Sequence, residues 1–230
     1  MKKLYLVGTH HLDLKGPTRL ERFFGFVRPD TIGLESTIEN LERRLKDHKN
    51  WQNQRNVTQE ALVGLYGREG AKKIDQYLTM IGYECWVSAN HAQKNSGVRL
   101  VNCDEYDKVE FQQIGKKVFG EGVDENQDIT RSFIDEIATY DLIDLQKTID
   151  QSYQDVSITA LQKNQKEFRT LMLDRDKVAE SKIREAFAGA SHTLVYVGGT
   201  LHFFGDYPNL YERLKDLNPS KIKLVDVDQF

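Results

Sequence analysis

Apolar residues fall in short unbroken runs towards both ends of the chain and in spaced stripes between them. Leu4-Tyr5-Leu6-Val7 is too short for an ordinary helix and lacks the alternation of a half-exposed strand, so it predicts a strand buried on both faces. Leu194-Val195-Tyr196-Val197 predicts another of the same kind. Thr31 to Glu35, Val98 to Asp104 and Ile222 to Val227 read as three further strands. Behind Gly16-Pro17-Thr18, a helix-start signal, Leu20, Phe23, Phe24 and Val27 form a helical stripe. The resulting strand-helix-strand unit favours parallel pairing, and the Glu35 strand is expected beside the first one. Ile38, Leu41 and Leu45 mark a charged helix fading into Asp47-His48-Lys49-Asn50, and helical patterns punctuated by Gly64, Gly67 and Gly70 follow. A helix from about Glu84 to Asn95 has Gly97 suited to its end.

The middle, residues 105–173, contains no convincing strand. Asp128 suits a helix cap, and Ile134, Ile137, Leu142, Leu145 and Ile149 keep helical spacing. A long amphipathic stretch with Leu161, Leu171, Val178 and Phe187 leads into the Val195 strand, and a helix with Leu210 and Leu214 follows it. This order predicts one α/β domain over residues 1–230, with a central, mainly parallel sheet, flanking helices and a helical insertion at 105–173. The insertion suits a lid or a homo-oligomer surface.

Charge and composition narrow the partners. A net charge of -3 without any long basic block gives no reason to expect nucleic acid. No run approaches the roughly 20 apolar residues of a membrane span, and the N-terminal run ends too early for a signal peptide. Cys85 and Cys103 are too few and too isolated for a disulfide framework or a thiolate zinc site, which fits a reduced cytoplasm.

Both buried runs end alike: Gly8-Thr9-His10-His11 and Gly199-Thr200-Leu201-His202 share Gly-Thr-x-His. The carboxyl edge of a parallel sheet is where ligands bind, so His11 and His202 are expected in one site. Thr9 and Thr200 would fix a loop or ring tautomer, or touch substrate. His10 is ambiguous beside His11, whereas His48, His91 and His192 have polar surroundings and read as surface residues. Glu35 and Asp104 terminate strands, and Glu84 starts a helix; for Asp104 and Glu84 a capping or dipole role is the plain alternative. Two histidines with one or two carboxylates suit zinc, manganese or iron, which would lower the pKa of bound water towards about 7. Without a metal, Glu35 and His11 could act as a general-base pair. Leu171, Arg175 and Val178 share a helical stripe, so Arg175 either pairs inward with Glu35, Glu84 or a substrate oxyanion, or snorkels outward. Asp174 and Asp176 are expected to point away from it. Gly-x-Ser-x-Gly, Walker A, Gly-x-Gly-x-x-Gly and His-Glu-x-x-His are all absent.

At Gly8-Thr9-His10-His11, Leu34-Glu35, Glu84, Asp104, Arg175-Asp176 and Gly199-Thr200-Leu201-His202 with Gly205, the chain resembles the TraB/PrgY family, which includes the Tiki and GumN-like proteins. That group is related to the erythromycin esterase/ChaN-like proteins. The resemblance implies an α/β fold of EreA/ChaN type and a hydrolase acting on a peptide or a small amide or ester. Its Tiki branch implies manganese or cobalt as the ion. His11, Glu35 and His202 would hold the metal or activate water, Glu84 would be a further ligand or acid/base, and Arg175 would orient substrate. A non-catalytic protein that sequesters a peptide or cofactor is the rival reading.

Overall fold

The computed structural model describes residues 2–105, 131–154, 166–204 and 208–229. Five strands, β1 (Lys3–Thr9), β2 (Thr31–Leu34), β3 (Arg99–Asn102), β4 (Thr193–Gly199) and β5 (Ser220–Lys223), form one sheet. Every pairing is parallel, and the order across the sheet is β3-β2-β4-β1-β5. The two apolar runs therefore lie side by side at the centre, with Gly8 opposite Gly198 and Thr9 opposite Gly199. The strand that ends at Glu35 is not next to β1, as expected from sequence, because β4 lies between them. The last strand is also shorter than its apolar run, since Leu224–Gln229 turns into a 3-10 helix.

Alternation along the central strands sorts their side chains onto two cores. Val7, Val195 and Val197 pack into one core with helices α1 (Gly16–Val27), α2 (Ile38–Met80) and α3 (Tyr83–Lys94). Leu4, Leu6, Leu194 and Tyr196 pack into the other, against Ala179, Ile183 and Ala186 from the long helix ending at Gly189 and Leu210 from the short helix Leu210–Arg213. Between these lie α4 (Arg131–Thr139) and α5 (Leu142–Ser152); the long helix is α6 (Lys166–Gly189), and Leu210–Arg213 is α7. The expected Asp128 cap, Leu161 and Gly205 lie outside the described residues, as does the Leu171 side chain.

α1 begins as its sequence predicts, with Pro17 in its first turn, and buries Leu20, Phe23 and Phe24. α2 departs from expectation. The charged helix does not fade near Asn50; Thr37 caps it by accepting from the Asn40 N–H at 3.1 Å, and helix continues to Met80. It is not straight. Trp51 Nε1 donates to Thr79 Oγ1 at 3.2 Å, and the Arg55 guanidinium forks onto Asp75 at 2.7 and 2.6 Å. In a straight helix, residues 28 positions apart would stand about 42 Å away from each other, so the two arms must fold back antiparallel. The turn is at Gly67, the position with non-helical angles (φ 69, ψ 175). Only glycine adopts that region without strain. Burial is uneven between the arms: Gly70, Ala71, Ile74, Tyr77 and Met80 are buried after Gly67, whereas before it only Leu41 and Leu62 are.

α4 packs on α2, and beyond α5 Tyr153 reaches the loop after β1, where its hydroxyl accepts from the His10 N–H at 2.8 Å. The same hydroxyl donates to the buried Asp13 at 3.1 Å, which also pairs with Arg19 at 2.8 Å and accepts from Gln146 at 3.0 Å. The His10 backbone is thus anchored by Tyr153. Gly67→Ala is expected to destabilise the protein by about 1–3 kcal/mol through the forced left-handed backbone alone, as nothing lies near its Cβ direction. Urea unfolding measures this, and an unchanged midpoint would deny the fold-back at that residue.

Candidate active site

The backbone at the carboxyl edge of the central strands explains how residues from non-adjacent strands meet. Gly198 and Gly199 end β4, leaving bare backbone between Glu35 on one side and the β1 loop on the other. Glu35 continues the β2–β4 ladder through its N–H to the Val197 carbonyl, at 2.9 Å. Its side chain then crosses the glycines, and Oε2 accepts from the Gly199 N–H at 2.6 Å. A methyl at Gly198 would stand 3.0 Å from that oxygen and 3.1 Å from the Tyr196 ring.

Glu35 is held between two cations. Its Oε1 accepts from Arg175 at 2.7 Å and from His202 Nε2 at 2.9 Å. The other ring nitrogen of His202 donates to Asp176, and Arg175 also forks onto Asp104. His202 is 3% exposed and Asp176 1%. Burial disfavours the charged imidazole, but the Glu35 carboxylate and the bond to Asp176 outweigh it and push His202 up to about 10. Burial likewise opposes charge on Glu35, and the His202 and Arg175 cations hold it well below the usual carboxylate range. The result is an ionised array, Asp104–Arg175–Glu35–His202–Asp176, running behind the sheet edge.

A second pair faces it across the glycines. His11 Nδ1 sits 2.8 Å from Glu84, which accepts from Thr9 Oγ1 at 3.1 Å. Its side chain is 71% exposed, against 12% for Glu84. The Glu84 carboxylate raises the His11 pKa. In turn, burial works against ionised Glu84, but His11 keeps its pKa lowered. A methyl at Gly199 would lie 3.7 Å from His202 Cδ2 and 3.9 Å from His11 Nε2, so both motif histidines border one point. They do not border it equally. A cavity of about 400 Å³ is lined by His11, Glu35, Glu84 and Arg175 among others, whereas His202 is behind Glu35 and outside its lining.

Thr9 and Thr200 spend their hydroxyls on the scaffold. Thr200 donates to the Thr9 carbonyl at 2.7 Å, tying the two motifs together, and Thr9 serves Glu84. Arg175 pairs with Glu35, as one expectation had it, and with Asp104, while Asp176 holds His202 and so belongs to the site as well. Helical spacing hid this, because Arg175 and Asp176 are adjacent yet both turn into the same charged seam. Of the histidines read as surface residues, His192 is exposed, whereas His48 stacks on Trp86 at 4.4 Å and His91 lies 5.0 Å from the Phe24 ring.

The donor set suits an ion-pair array better than a divalent cation. Both His202 nitrogens donate to carboxylates, which leaves no lone pair for a metal, and Glu35 already faces two cations. Among the described residues, no group of three His, Cys, Asp or Glu side chains is placed to hold an ion. No protein family, curated protein or solved structure matches this chain.

The array fixes a pH signature. With its pKa raised above the ordinary 6.5, His202 contributes stability fully present below pH 6.5 and lost as pH rises towards about 10. The buried thiols, also raised, begin to cost stability only above their ordinary 9.0. Between pH 6.5 and 9 the unfolding free energy of the wild type is therefore expected to fall, and His202→Gln to flatten that slope. Urea titrations across this range check it; equal slopes would place His202 outside the array.

Proposed function

We propose that this protein is a hydrolase acting on an ester or amide, a peptide included, with His11 as the general base that activates water. The observation carrying this reading is the His11–Glu84 pair at the cavity: an exposed imidazole whose Nδ1 is held by a carboxylate, with Nε2 directed to the neighbourhood of Gly199. Glu84 fixes the tautomer and stabilises the imidazolium that forms. Glu35, kept ionised and engaged at both oxygens, is a poor proton acceptor. With Arg175 it sets the field of the cavity floor.

In the proposed reaction His11 takes a proton from water as the water oxygen bonds to the substrate carbonyl carbon. The bond to the leaving oxygen or nitrogen then breaks, and that atom receives the proton from His11. The resemblance of the paired Gly-Thr-x-His motifs to the TraB/PrgY and erythromycin esterase-like proteins supports the same class. A manganese-, cobalt- or zinc-dependent version would require His202 to release a carboxylate. Rates measured with and without each ion separate the two.

A base works deprotonated, so kcat/KM is expected to rise with pH through a value above 6.5. Removing the carboxylate that raises it, by Glu84→Gln, shifts the inflection to lower pH. His11→Ala is expected to cost about 100-fold or more in kcat. A panel of esters and peptides reads both effects. Tight binding of panel members without turnover, unchanged in His11→Ala, would favour the sequestering protein instead.

A further inference from the structure

The cavity has a charge-paired floor and a basic wall, and the wall has no part in the chemistry above. Arg43 and Arg44, early in the first arm of α2, line it, so with Arg175 three guanidinium groups face two carboxylates, Glu35 and Glu84. Local backbone geometry makes room for Arg44. Gly82, at the turn between α2 and α3, has φ 63, and a methyl there would come 2.9 Å from Arg44 Cδ and 3.4 Å from Cγ. Without a side chain at 82, the Arg44 stem lies along the turn that leads directly to Glu84. Arg43 is oriented by its bond to Asn40 Oδ1 at 2.8 Å, with a looser contact to Asp47 at 3.9 Å. Charge from Arg44 is felt at His11, where it opposes the protonated ring, and at Cys85, where Arg44 and Arg43 both favour the thiolate against dominant burial.

We infer that the substrate carries an anionic group, a carboxylate or a phosphate, which Arg44 binds with Arg43 beside it while the scissile carbonyl lies against His11. A planar guanidinium fork matches either oxyanion. This inference rests on the hydrolase reading for the scissile bond, but the anion site stands or falls separately.

Isothermal titration calorimetry of the intact protein with succinate and, separately, with inorganic phosphate tests it. At least one anion is expected to bind, and Arg44→Gln and Arg43→Gln are each expected to weaken that binding about tenfold or more. Lys215→Gln, which removes an exposed charge elsewhere, is expected to leave it unchanged. The preferred anion distinguishes a carboxylate-bearing from a phosphate-bearing substrate. If Arg44→Gln fails to fold, judged by thermal melting, Arg43→Gln carries the comparison. Failure of both anions to bind the folded wild type, or binding indifferent to both substitutions, would overturn the inference. Arginine-dependent anion binding without hydrolysis of any ester or peptide would remove the catalytic reading and leave this one standing.

Discussion

A carboxylate lodged between a buried imidazole and a half-buried guanidinium is the interaction on which the carboxyl edge of this sheet depends. Glu35 meets Arg175 and His202, and each cation in turn meets a second carboxylate, Asp104 or Asp176. Taking such groups out of water is costly, and removing one partner of a buried pair typically costs about 3–5 kcal/mol. The array is tolerated because its charges alternate, each cation lying between two carboxylates. It joins β2, the residues after β3, the turn after β4 and α6, elements far apart in sequence.

Two glycines make this possible. In a parallel sheet a side chain at the end of β2 should not reach past the next strand, because that strand's own side chains block the way. Gly198 and Gly199 remove the obstacle and supply an N–H to Glu35. The division of labour follows from the same geometry. His202 is sealed behind Glu35 and charged, whereas His11 is open to the cavity and set by Glu84. Two copies of one short motif thus give one imidazole buried in a charged seam and one exposed to the cavity.

Much of the architecture was legible in the chain because buried parallel strands leave an unambiguous mark. Both four-residue apolar runs became neighbouring central strands, and the Pro17 helix and the helix after Gly82 fell where predicted. Lateral strand order was not legible: nothing local in Thr31–Leu34 states that β4, rather than β1, lies beside it. The fold-back at Gly67 was also hidden, as the pairing of Arg55 with Asp75 depends on tertiary contact. For the site, chemistry-bearing residues stood out by type, and Glu35, Glu84, His11, His202 and Arg175 do converge on one edge. Roles did not follow from type. Asp176 stood out beside Arg175, but its hold on His202 was not foreseen, because helical spacing assigns adjacent residues to different faces and a seam between helix and sheet can take both.

The protonation of His202 tests this account most directly. In uniformly ¹⁵N-labelled protein, ring nitrogen shifts report whether each imidazole is singly or doubly protonated. The account predicts that His202 keeps both ring N–H groups from about pH 6 to 9, while a free imidazole would titrate near 6.5. A neutral His202 ring with one bare nitrogen near pH 7 would contradict the charged array and return this residue to the role of a potential metal ligand.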